Sequence, residues 1–211
     1  MAKGGAAERE INTLLSLWFT QGERDDIFGR TDGSGGRFTQ RRKKGKDTAY
    51  QGGDCTFTDP LGEPLMSEWN CEIKSGYGGK KKIKDAEGNV VKKIQERWDI
   101  LDLIDSSQKE TVIESFWKQC KRDAQLTGRV PVLIFRRNGR KLLIALDHSY
   151  FLHLQDFFNI PPSGTIFLQI MRMHIMLLSD FFKWIPKIDI ALGKFDKEGY
   201  NKARVKLNRR K

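Results

Sequence analysis

Glu72-Ile73-Lys74 sets a carboxylate and an ammonium two positions apart in a run, 68–74, that reads as a β-strand. Side chains alternate along a strand, so Glu72 and Lys74 share one face while Ile73 turns to the core. Asp54 opens another short strand, 54–58, directly after Gly52-Gly53, and can reach that same face. Two carboxylates and one ammonium then converge at a sheet edge. Such a set suits phosphodiester hydrolysis, which needs an attacking hydroxide, stabilisation of the phosphorane and help for the leaving oxygen. A Mg²⁺ ion held by carboxylates, with substrate phosphate completing its shell, supplies these. A lysine beside it orients the water or offsets developing negative charge. In this reading Asp54 and Glu72 are metal ligands, with the Ile73 carbonyl as a third, and Mn²⁺ substitutes for Mg²⁺. Glu8, one helix away, completes the site or binds a second ion. An E-x-K triplet by itself equally describes a solvated strand face. The Gly-Asp step and the upstream Glu-bearing helix set this one apart.

Local patterns place the elements around these residues. Ile11, Leu14, Leu15 and Trp18 recur at helical spacing over 6–19, and Gly22 closes that helix. The polar, Gly-rich stretch 23–53 reads as a loop. Turn chemistry at 59–64 predicts a hairpin joining 54–58 to 68–74. A second basic loop covers 75–93, and 98–104 reads as a third strand. Ser107-Gln108-Lys109-Glu110 has the form of a capping box, starting a helix that runs to about Leu126 and stops at Gly128. Runs at 130–135 and 141–146 flank Asn138-Gly139, a strong hairpin signal. Asp147 caps a further helix that ends before Pro161-Pro162. The most apolar stretch, 165–185, carries Arg172, His174, Asp180 and Lys183, which predicts a core or interface helix rather than a membrane span.

The 211 residues suit one domain with arms, and a net charge of +11 with an isoelectric point near 9.6 makes a polyanion the first partner to consider. The charge is clustered. Arg37, Arg41, Arg42, Lys43, Lys44 and Lys46 form one run and Lys80, Lys81 and Lys82 another, on either side of the acidic residues in sequence. Such runs neutralise phosphates with little base reading, and they also describe solvated loops. Phe38 or Tyr77 can stack on an unpaired base or pin its own loop. Lys118, Gln119, Lys121 and Arg122 share the capped helix, where a solvent face competes with a phosphate contact. Cys55, Cys71 and Cys120 lack the paired spacing of a zinc site and read as buried apolar residues in a reducing, cytoplasmic setting. The three histidines fall at spacings that favour no metal site.

Lys3-Gly4-Gly5-Ala6-Ala7-Glu8-Arg9-Glu10-Ile11, Arg30-Thr31-Asp32-Gly33-Ser34, Asp54, Glu72-Ile73-Lys74 and Thr127-Gly128-Arg129-Val130-Pro131-Val132-Leu133 occur in this order. Together they resemble the archaeal-type Holliday-junction resolvases of the PD-(D/E)xK nuclease superfamily. The resemblance covers most of residues 3–146. It implies an α/β, restriction-endonuclease-like core with a central mixed sheet flanked by helices. It further implies Glu8, Asp54 and Glu72 as metal-site carboxylates, Lys74 as the catalytic lysine, and Lys3, Arg9, Arg30 and Ser34 on the DNA. A homodimer nicking a four-way junction symmetrically in recombination and repair follows from it too; the apolar segments at 157–158 and 166–182 offer an interface. The insert 35–53 departs from the family's pattern, so choosing Asp54 over Asp47 rests on the Gly-Asp-strand step. The loop 75–93 and everything after Asp147 have no family counterpart. The expected organisation is a core over 1–146 with basic insertions at 35–53 and 75–93, a helical C-terminal extension over 147–193, and a basic tail over 194–211. Alternatives are a PD-(D/E)xK nuclease with another DNA target (nickase, flap or single-strand nuclease, restriction enzyme) and a non-catalytic nucleic-acid-binding protein.

Overall fold

The computed structural model describes residues 3–31, 52–77, 80–95, 111–200 and 202. The first helix, α1 (Lys3–Phe19), buries Ile11, Leu15 and Trp18 along one stripe. It closes as expected: the Gly22 amide donates to the Leu17 carbonyl at 2.7 Å and Gln21 (φ 57°) to Trp18 at 3.2 Å. The loop expected over 23–53 is interrupted by β1 (Phe28–Arg30), which pairs antiparallel with β2 (Cys55–Phe57). Ile27 and Phe28 are buried there, and the Phe28 amide donates to Ser16 Oγ at 3.0 Å.

The hairpin expected between 54–58 and 68–74 does not form. Asp59 accepts the Leu61 amide at 2.9 Å and Pro60 pre-sets the backbone, so a 3-10 turn (Pro60–Gly62) runs into α2 (Glu63–Glu68). The Asp-Pro and Glu-Pro pairs start helical turns, and β3 (Trp69–Tyr77) emerges beside another partner. The basic stretch 75–93 is likewise no loop: β4 (Lys80–Lys84) and β5 (Val90–Gln95) form an antiparallel hairpin. Its turn is closed by Asp85, whose carboxylate accepts the Asn89 amide at 2.7 Å. The strand expected at 98–104 lies outside the described residues.

The capping box belongs to Thr111 and Glu114, so α3 (Val112–Thr127) begins about four residues later than the Ser107–Glu110 pattern implies. It stops as expected at Gly128, in the left-handed region at φ 68°. The central sheet has five strands in the order β3, β6 (Val130–Arg137), β7 (Leu143–Asp147), β9 (Met173–Leu177), β8 (Ile166–Leu168). β3 and β6 run parallel and the other neighbours antiparallel, with α3 on the parallel crossover. Period-two alternation divides the faces. Val132, Ile134, Ile144 and Leu146 join α1 in the larger core, while Leu133, Phe135 and Ala145 meet Ile113, Phe116, Trp117 and Cys120 of α3. This is the mixed α/β sheet flanked by helices that the motifs imply.

The β6–β7 hairpin turns through Asn138-Gly139, and Asp147 caps α4 (His148–Phe157) by accepting the Ser149 amide at 3.0 Å. The stretch 165–185 corrects the expectation of one helix. It forms β8, a 3-10 turn (Gln169–Met171) and β9, and only then α5 (Leu178–Trp184), because Arg172 takes a left-handed conformation (φ 49°) that ends the turn. The segment 147–193 is thus helical only in part and supplies two sheet strands. Side-chain bonds tie it in: Trp18 Nε1 donates to the Ile185 carbonyl at 2.7 Å and Trp117 Nε1 to that of Met171 at 3.0 Å. Among the described residues no helix is long and apolar enough to cross a membrane.

Candidate active site

β3 is an edge strand whose two faces do different work. Trp69, Cys71 and Ile73 enter the larger core, while Asn70, Glu72 and Lys74 turn toward α3. The outer edge is where Asp54 arrives: its amide donates to the Cys71 carbonyl at 2.7 Å, and its Oδ2 accepts the Ile73 amide at 2.9 Å. Gly53 makes the approach possible. Its φ is 85°, and a Cβ there would stand 2.4 Å from the Cys71 oxygen. Because Cys71 and Ile73 are two apart, their carbonyls point to the same edge, so the Ile73 oxygen lies on Asp54's side.

Glu72 Oε1 accepts from Lys74 Nζ and, at 2.7 Å, from Gln119 Nε2 of α3. The Lys74 ammonium also lies 5.8 Å above the Phe116 ring. Each carboxylate therefore has one oxygen engaged; among the described residues nothing donates to Asp54 Oδ1 or Glu72 Oε2. Burial first, and then the Asp54 charge, push Glu72 up to about 7 against the pull of Lys74. Burial likewise raises Asp54; the Ile73 amide and Lys74 oppose the shift and Glu8 adds to it. A buried and a half-buried carboxylate that repel each other, each with one oxygen unengaged among the described residues, fit a hard divalent cation held by one or two carboxylates plus water.

Glu8, the expected third carboxylate, lies close enough for its charge to act on Asp54. Glu8 forms an ion pair with Arg30 Nε, and among the described residues no group of three or more His, Cys, Asp or Glu side chains makes a metal cage. The Arg30 guanidinium lies over α1, within 3.1 Å of where a Gly5 Cβ would be. Arg30 is thus paired with an acid on α1. Arg9 is exposed on α1. Lys80, Lys81 and Lys82 lie on β4 and Lys3 begins α1, their side chains being outside the description, as is that of Tyr77. Ser34, Arg37, Phe38, Arg41, Arg42, Lys43, Lys44, Lys46 and the rival Asp47 lie outside the described residues.

Gln119, for which a solvent face competes with a phosphate contact in the sequence, reaches Glu72. Lys118 and Arg122 are exposed and paired with Glu114 and Asp123. Arg129, read only as part of a helix-end motif, is buried: it donates to the Gly52 carbonyl at 2.9 Å and Asn70 Oδ1 at 3.1 Å. Cys55, Cys71 and Cys120 are buried thiols, as expected. His148 and His174 bond each other at 2.8 Å.

A family model described as "Phage putative PDDEXK endonuclease" matches residues 89–190, which begin downstream of Asp54, Glu72 and Lys74. Protein D14 of Escherichia phage T5 is 31% identical over 119 residues, covering 51% of this chain and 71% of that protein. No solved structure matches the chain. With a mixed sheet flanked by helices, Glu72 and Lys74 on its edge strand and Asp54 bonded to that strand, the chain belongs to the PD-(D/E)xK nuclease superfamily.

Proposed function

We propose that this protein is a divalent-metal-dependent endonuclease that hydrolyses DNA phosphodiesters at Asp54, Glu72 and Lys74, with branched DNA, the four-way junction first, as its substrate. The observation that carries the chemistry is the Asp54–Ile73 contact, which seats one carboxylate against the strand bearing the other two groups; among the described residues Asp54 Oδ1 and Glu72 Oε2 have no donor. Those oxygens, with the Ile73 carbonyl on the same edge, would hold Mg²⁺ or Mn²⁺. The bound ion supplies Lewis-acid activation of water and neutralises charge on the reacting phosphate. Lys74 places an ammonium at the same edge, where it offsets negative charge as the phosphorane forms. Gln119 and Lys74 hold Glu72 by one oxygen, which leaves the other for the ion. The net charge of +11 favours a polyanionic substrate and salt-sensitive binding.

The junction preference rests on the ordered motifs shared with resolvases. A homodimer would give two sites for two strands, and exposed Ile166 and Phe167 on edge strand β8, with Ile170 beside them, offer an apolar face for it. The test is cleavage of labelled four-way junction, linear duplex and single strand under Mg²⁺ and Mn²⁺. Preferential paired nicking of the junction supports the proposal, and equal cutting of linear DNA replaces the substrate. No cleavage of any of them removes the enzyme. A monomeric mass by light scattering at micromolar concentration removes the dimer.

A further inference from the structure

Arg129 follows Gly128, where α3 ends, and its guanidinium is buried between α2, β3 and the segment that leads to Asp54. Nη1 donates to the Met66 and Trp69 carbonyls at 2.9 and 3.0 Å, and Nη2 to the Gly52 carbonyl and Asn70 Oδ1 at 2.9 and 3.1 Å. Thr127 Oγ1 meets the same Asn70 oxygen at 3.3 Å. The fit around Gly52 is close: a Cβ there would stand 2.5 Å from Thr127 Cγ2 and 2.8 Å from Arg129 Nη2. Gly53 and Asp54 are then held from the far side, the Asp54 amide by the Cys71 carbonyl at 2.7 Å.

The chain entering Asp54 is thus pinned at both ends to the strand that carries Glu72. One pin is the β3 main chain. The other is Arg129, whose planar fork meets four oxygens, geometry that a lysine ammonium cannot reproduce. We infer that Arg129 is a positioning residue of the active site: by holding Gly52 to Asn70 and to the start of β3, it sets Asp54 against Glu72 and so fixes the spacing of the oxygens that take the cation. This rests on the metal-dependent nuclease reading. Arg129 acts on Asp54 through Gly52 and Asn70 rather than at the reacting atoms.

The test uses the full chain with R129K and, because a buried arginine change can cost folding, G52A, which pushes the Asp54 segment off the clamp while keeping Arg129. Circular dichroism and melting confirm that each variant is folded at the assay temperature. Mn²⁺ binding without DNA is read by calorimetry, and cleavage is split into kcat and KM. The expected result is Mn²⁺ affinity weakened about tenfold in both variants, as outer-shell partners of a metal site behave, with kcat lowered and KM for DNA unchanged. Folded R129K or G52A with wild-type Mn²⁺ affinity and kcat overturns the inference while leaving the nuclease reading standing. Wild type that binds no Mn²⁺, or binds it equally well as D54N, removes the nuclease reading itself.

Discussion

Asp54 Oδ2 accepts the backbone amide of Ile73 at 2.9 Å, the residue that separates Glu72 from Lys74. That bond converts a sequence separation of 19 positions into one acidic edge. It also uses up one Asp54 oxygen, as Lys74 and Gln119 use up one of Glu72.

Replacing either acid isosterically should abolish cutting without abolishing binding. D54N and E72Q are expected to lose more activity than the roughly 10–100-fold that an outer-shell partner commands. Their junction affinity, measured without metal by gel shift, should hold or tighten, because a negative charge facing phosphate is gone. Variants that bind poorly yet cut at wild-type kcat would contradict the assignment.

Lys74 should act on rate. K74M is expected to lower kcat about 10²–10³-fold, the scale for removing one group that stabilises transition-state charge, with DNA affinity changed far less. A defect confined to KM would make Lys74 a binding residue instead.

Gln119 holds Glu72 through one neutral hydrogen bond, so Q119L should lower cleavage about tenfold while costing only about 1 kcal/mol of stability. Single-turnover kinetics beside urea denaturation separates the two. Unchanged cleavage would reduce Gln119 to packing.

The pH dependence of stability in EDTA should carry Glu72's signature. Its folded value of about 7 lies above the ordinary carboxyl value of 4.5, so its contribution is complete below about 4.5 and lost as pH rises through about 7. His174, lowered to about 4 by burial and then by His148, works oppositely: its contribution is complete above 6.5 and lost as pH falls through about 4. Comparing E72Q with wild type isolates the acid. E72Q should gain on wild type between pH 4.5 and 7.5, by up to about 3 kcal/mol. A stability difference that ignores pH would mean Glu72 is not perturbed by its surroundings.

What could be read from the sequence was local. The spacing of Ile11, Leu15 and Trp18, the Asn138-Gly139 turn, the Asp147 cap and the Glu72–Lys74 alternation each lie within a few residues and follow from backbone geometry. The errors arose where partners are distant or a pattern is ambiguous. Arg129 finds its acceptors 59 to 77 positions away, and nothing near it in sequence indicates them. Gln119 reaches Glu72 across 47 positions. The apolar run 165–185 fits a buried helix or buried strands equally well, and tertiary pairing with β7 decided it. Asp59-Pro60 marks a turn or a helix start alike.

The most direct test of the central claim is anomalous diffraction from crystals soaked in Mn²⁺. A manganese peak is expected within about 2.5 Å of one oxygen from Asp54 and one from Glu72. A peak elsewhere, or none at this edge while the crystals hold manganese, would contradict it.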